Sequence, residues 1–167
     1  MARLDRDAHE LQVLNALIAA TMDSADAYGE AAREAENPQL RGLFEQRGFE
    51  RRQVAAGLRL AVRRLGGRPQ PDGSLLGKAR RAWMDVRHAL LRQDRVTVYE
   101  VEAAEDAVKD RFERALADTG LSPTAREVIE RNYAPVRRAH DEMRALKHRM
   151  KAAGTDAVPP LSGAGPP

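Results

Sequence analysis

The sequence predicts an all-α fold: a bundle of four long helices with one long crossover that carries an extra short helix. Three observations predict it. Apolar and small residues recur every three or four positions over four separate stretches, the spacing of one helix face. The stretches are punctuated by Asn-Pro, Gly-Gly and Ser-Pro, which are helix stops and starts. The 167 residues hold 43% hydrophobic and 32% charged side chains, the balance of one ordinary domain with its own core.

The first helix is expected from Asp7 to Glu36, on the stripe Leu11, Leu14, Ile18, Thr21, Ala25, Tyr28 and Ala32. Asn37 is a good N-cap and Pro38 suits the first helical position, where its missing N–H costs nothing. The second helix then runs to Leu65, and Gly66 and Gly67 end it. Ser74 can cap a short crossover helix whose stripe is Leu76, Ala79, Trp83, Val86 and Leu90. In the third long segment, Val96 to Leu116, the β-branched "VTVYEV" alone suggests a strand. The continuing helical spacing through Val98, Val101, Glu105, Val108, Phe112 and Ala115, with no second strand to pair, assigns helix. Ser122 and Pro123 start the last helix, which is expected to reach Lys151 with a kink at Pro135. Residues 1–151 form the bundle on this reading. The Pro-, Gly- and Ala-rich residues 152–167 form a disordered tail.

Several functions are excluded early. Without cysteine there is no thiol, disulfide, zinc-thiolate or iron–sulfur chemistry. The N-terminus reads as neither signal peptide nor membrane span, so a cytoplasmic protein without a membrane partner is expected. The net charge of +3 and 4% aromatic residues argue against nucleic acid as partner, although Lys78, Arg80, Arg81, Arg87 and Arg92 make the crossover helix basic. No phosphate-binding glycine loop, nucleophile elbow or zinc-protease helix is present. His9, His88 and His148 lack ligand spacing and read as surface residues; Tyr28 and Tyr133 read as core packing with bonded hydroxyls. A homodimer suits an amphipathic bundle, though no motif demands it.

The inward stripes contain polar residues near the middle of each helix: Thr21, Glu50, Glu105 and His140. A buried carboxylate without a partner costs several kcal/mol (~3 or more), so a cation or hydrogen-bond donor is expected among them. Pairs of hairpins joined by a long crossover make the ferritin-like arrangement. The motifs also resemble ferritin-like di-iron proteins such as rubrerythrin, in which a glutamate precedes an aromatic by two turns and Glu-x-x-His follows on the next helix. Here "TMDSADAY" has Thr21 seven residues before Tyr28, "ERRQ" has Glu50 and Gln53, "EDAVKDRF" has Glu105 before Phe112, and "RRAH" has Arg137 and His140. The chain is also similar, over roughly residues 9–150, to bacterial ferritin-like four-helix-bundle proteins of unknown function, most distinctively in "WM" at 83–84 and "HDEMRAL" at 140–146.

That resemblance implies a di-iron position with three of its ligands replaced: Thr21 for glutamate, Gln53 for histidine and Arg137 for glutamate. Arg137 brings a fixed positive charge to where a metal would sit. Two readings follow. In the first, Thr21, Glu50, Gln53, Glu105, Arg137 and His140 form a buried polar network in place of the di-iron site. No cofactor is needed, and the protein is a non-catalytic structural, stress-related or partner-binding module. In the second, Glu50, Glu105 and His140 hold iron or manganese in a mono- or dinuclear site, and the protein is a metal-dependent oxidoreductase or handles iron.

Overall fold

The computed structural model describes residues 2–70 and 94–153. The expected crossover helix, Trp83 and residues 154–167 of the expected disordered tail lie outside the described residues, while Ala152 and Ala153 of that tail are helical. Four helices account for the rest: α1 (Ala2–Glu34), α2 (Pro38–Arg64), α3 (Asp94–Ala117) and α4 (Pro123–Ala153). "VTVYEV" is helical, as its spacing required. The first helix begins at Ala2, five residues before the expected start at Asp7.

The helix ends follow from local chemistry. The Asn37 side chain accepts from the backbone N–H groups of Gln39 (2.8 Å) and Leu40 (3.2 Å), and Pro38 follows it. At the other end of α2, Gly67 N donates to Val62 O and Gly66 N to Arg63 O. That pair of bonds is a Schellman stop, and Gly66 supplies the φ of +75° it requires. Ser122 Oγ accepts from Ala125 N at 3.2 Å and starts α4. Pro135 lies inside α4 and does not end it.

Bonds between helix ends fix the topology. The Asp94 carboxylate, at the start of α3, accepts from the backbone N–H groups of Glu36 and Asn37 in the α1–α2 turn. At the opposite end, His9 meets Asp118 at 2.7 Å and Ser122 N donates to Glu10. So α1 and α4 run one way and α2 and α3 the other. The chain leaves α2 at one end of the bundle and enters α3 at the other, about 40 Å away for a helix of 27 residues. Gln70 N already lies on the Asn15 side chain, so the exit from α2 turns back along α1. This is the long-crossover form of a four-helix bundle. α1 packs on α2 and α3, and α4 on α3 and α2.

The core divides into two apolar clusters. One is built on Leu14, Ile18, Leu58, Val62, Phe112 and Ile129. The other is built on Tyr28, Leu40, Phe44, Val98, Met143 and Leu146. Between them along the bundle axis lies a layer of buried polar side chains, one or more from every helix: Thr21, Ser24, Arg51, Glu105 and His140.

Candidate functional site in the bundle centre

The centre of this layer is an ion pair with no solvent exposure on either side chain: Arg51 of α2 and Glu105 of α3. Arg51 Nε donates to Glu105 Oε1 at 3.0 Å, and Nη2 donates to Oε2. The guanidinium and carboxylate planes thus meet as a two-pronged pair, the strongest form of this contact. Nη2 also reaches the Val136 carbonyl of α4 at 3.3 Å. From α1, Ser24 Oγ donates to Glu105 Oε1 at 2.6 Å. One arginine and one glutamate therefore tie all four helices together.

α1 completes the wall around the pair. Thr21 is buried, but its hydroxyl donates to its own helix at Leu17 O (2.7 Å) and takes no part in the ionic contact. Tyr28 is fully buried beside Phe44, with the Arg51 guanidinium carbon 6.0 Å from its ring centroid. Burial holds the Tyr28 phenol well above its ordinary pKa, and the negative charge of Glu105 adds to the effect, while Arg51 opposes it. Two buried polar atoms here have no hydrogen-bond partner: Tyr28 Oη and Arg51 Nη1. Gly48 lets α1 and α2 approach, because a Cβ there would stand 3.3 Å from Tyr28 Cβ and 3.5 Å from Ala25 O.

The structure separates the six residues singled out in the sequence. Thr21, Glu105 and His140 are buried. Gln53 and Arg137 are exposed, and Glu50 is part-exposed, bonded through Oε1 to Arg47 (2.7 Å) and Gln46 (3.3 Å). The cation facing Glu105 is Arg51 rather than Arg137, which is the first correction. The second is that α2 buries the residue after Glu50. Its buried residues are Leu40, Phe44, Gly48, Arg51, Val54, Ala55, Leu58, Ala61 and Val62, so over its first half the inward line stands one position on from Leu43, Arg47 and Glu50. Ser24, one turn beyond Thr21, makes the contact that Thr21 does not.

His140 is 2% exposed and stands beside the ion pair, not in it. Nε2 lies 2.8 Å from Asp106 Oδ1 of α3, and Nδ1 lies 3.0 Å from Asp141 Oδ1 of α4. Both carboxylates are more than half exposed. Each ring nitrogen is taken by a different acid on opposite sides of the ring, so the three groups cannot converge on one ion. His9, read as a surface residue, is 43% exposed and pairs with Asp118. Tyr133 stacks on Phe112 (5.8 Å between centroids) and donates to Glu113 at 2.7 Å. Burial and that bond push its phenol up to about 12.

A fold of this kind implies iron, and the residues present do not fit it. Both oxygens of Glu105 are engaged by a guanidinium, Glu50 faces away, and His140 is turned to other acids. Among the described residues no three His, Asp or Glu side chains are placed to hold a metal ion. Among them, too, no helix is long and apolar enough to cross a membrane.

The fold recurs in solved structures, two of which follow. One is a two-domain protein with DJ-1/ThiJ/PfpI-like and ferritin-like domains from Anabaena variabilis, with TM-score 0.69 and 12% identity. The match covers 95% of this chain and 42% of that one, so this chain spans less than half of that protein's length. The other is a dodecameric thioferritin, the bacterioferritin-related protein from Bacteroides fragilis, with TM-score 0.68, 16% identity, and coverage of 88% and 90%. At these identities the likeness establishes the ferritin-like fold. No curated protein matches the chain. A family model matches residues 9–118, from the first turns of α1 to the end of α3, and by that match the chain belongs to the family described as Domain of unknown function (DUF2383).

Proposed function

We propose that this chain is a non-catalytic ferritin-like bundle, a cytoplasmic structural or partner-binding module whose central charge balance comes from an arginine. The observation that carries this reading is the buried two-pronged contact of Arg51 with Glu105. A guanidinium is always protonated and its geometry matches a carboxylate, so it meets the electrostatic demand of Glu105 without a bound ion. A metal arriving at Glu105 would have to displace Arg51 and leave a fixed positive charge beside itself in a region of low dielectric.

The test is elemental analysis of protein purified without chelator, before and after incubation with ferrous or manganous salt and gel filtration. The expected result is iron and manganese far below one per chain in both samples. Stoichiometric metal that is lost in Glu105→Ala or His140→Ala would overturn the reading.

A further inference from the structure

α2 carries an apolar line on the side facing away from the core. Phe49 is 60% exposed and Leu60 46%. Gly42, Phe49 and Ala56 recur every seven residues and Leu60 lies four further on, so all four share one outer face. A single exposed apolar residue is ordinary, but apolar side chains grouped on one face beside an apolar cleft mark an interaction surface. Next to Leu60, a cleft of about 430 Å³ opens between α2 and α4. Its walls are mostly apolar, with Leu14, Ala61, Ala125 and Val128 among them, and Arg64 and Arg131 line it as well. The projecting aromatic and the apolar cleft are thus on neighbouring parts of one surface. They are separated by eleven residues of a single helix, about 16 Å.

Those two features are complementary to each other, and a two-fold axis brings them together. In an antiparallel pairing of α2 with α2 about an axis crossing between Val54 and Ala55, Phe49 of each copy stands opposite Leu60 of the other. The small residue Ala56 stands opposite Gln53, which lets the helices approach. The flanking charges agree with the same register: Glu45 comes opposite Arg64, and Gln46 opposite Arg63, all of them exposed. Arg59 points elsewhere, toward the Gln70 carbonyl of its own chain. A contact of this type is closed, since each copy gives one aromatic and receives one.

We propose that the chain forms an antiparallel two-fold dimer in which Phe49 of each copy enters the α2–α4 cleft beside Leu60 of the other. An aromatic anchored in an apolar cleft at the middle of an interface is the arrangement that carries most binding energy. Sedimentation equilibrium of the full chain should give a dimer. Phe49→Arg should weaken association about thirtyfold or more while leaving the circular dichroism spectrum unchanged. A second measurement gives the register. Because the chain has no cysteine, Phe49→Cys combined with Leu60→Cys on one chain should oxidise to a covalent dimer. Either substitution alone should not, since like positions are about 16 Å apart along the axis. A wild type that sediments as a monomer, as when another part of the same chain covers Phe49, would overturn the proposal. So would an oligomer that Phe49→Arg leaves intact, or cross-linking by Phe49→Cys alone.

Discussion

Two arginine–glutamate contacts lie on adjacent turns of α2, and they differ in little but burial. Arg51 and Glu105 have no solvent exposure. One turn earlier, Arg47 bonds Glu50 on its own helix and Glu142 of α4, with side-chain exposures of 19%, 30% and 37%. Both reach across the bundle, and both use charge-assisted hydrogen bonds. In water's reach, an ion pair gains little over its hydrated ions. In the core, the same chemistry leaves each partner dependent on the other, because neither can recover its hydration. The inner pair therefore sets the register of four helices, while the outer one decorates a helix contact.

The largest expected effect comes from breaking the inner pair. Glu105→Ala leaves Arg51 buried, charged and unpaired, and should cost about 3–5 kcal/mol in urea denaturation. Replacing both partners, as Arg51→Met with Glu105→Leu, should recover most or all of that loss. If the single variant were as stable as the double, the pair would be contributing no electrostatic dependence, and the contrast with Arg47 would fall.

A second experiment addresses the unpaired atoms beside the pair. Tyr28 Oη is buried without a hydrogen-bond partner, so Tyr28→Phe removes a desolvated hydroxyl and should stabilise the fold by about 1 kcal/mol. The pH response carries a sign. The Tyr28 phenol is raised in the folded protein, first by burial and then by Glu105. Its contribution is fully present below the unfolded phenol's pKa of about 10 and is lost as pH rises through the folded value. Tyr133, pushed up to about 12, acts in the same direction. Stability should thus fall with pH above about 10, and Tyr28→Phe should flatten that decline relative to wild type. An unchanged alkaline slope would mean that Tyr28 reaches solvent in the folded state.

How much of this was legible in the sequence differs between helix and site. The helices follow from local signals, Asn37-Pro38, Gly66-Gly67 and Ser122-Pro123, and each does in the structure what its chemistry dictates. Thr21, Glu105 and His140 were legible as buried because each interrupts a strong apolar stripe with hydrophobic residues on both sides. Glu50 and Arg51 were not separable that way. They sit in "FERRQ", and the strongly apolar neighbour within one turn, Val54, is four residues from Glu50 and three from Arg51, so hydrophobicity cannot choose between two helix faces 100° apart. The signal that could have chosen is small residues. Gly48 and Ala55 flank Arg51 on its line, one turn either side, and Gly48 lets α1 come close to α2 at that level. Ser24 was invisible because serine in a helix is unremarkable until a buried carboxylate is placed opposite it.

The smallest effect tests the outer contact, and with it the claim that burial is what separates the two pairs. Glu142→Ala removes the cross-bundle partner of Arg47 but leaves Glu50 bonded to it at 2.7 Å, and Arg47 stays in reach of water. The loss should be at most about 1 kcal/mol at low ionic strength and should shrink further in molar salt, where the screening length falls to about 3 Å. The loss from Glu105→Ala should keep nearly the same size at both salt concentrations, since ions do not enter the layer between the two apolar clusters. Equal salt dependence for the two variants would place Arg51 and Glu105 in contact with solvent. The central layer would then be a second polar surface of the bundle rather than a buried tie between its four helices.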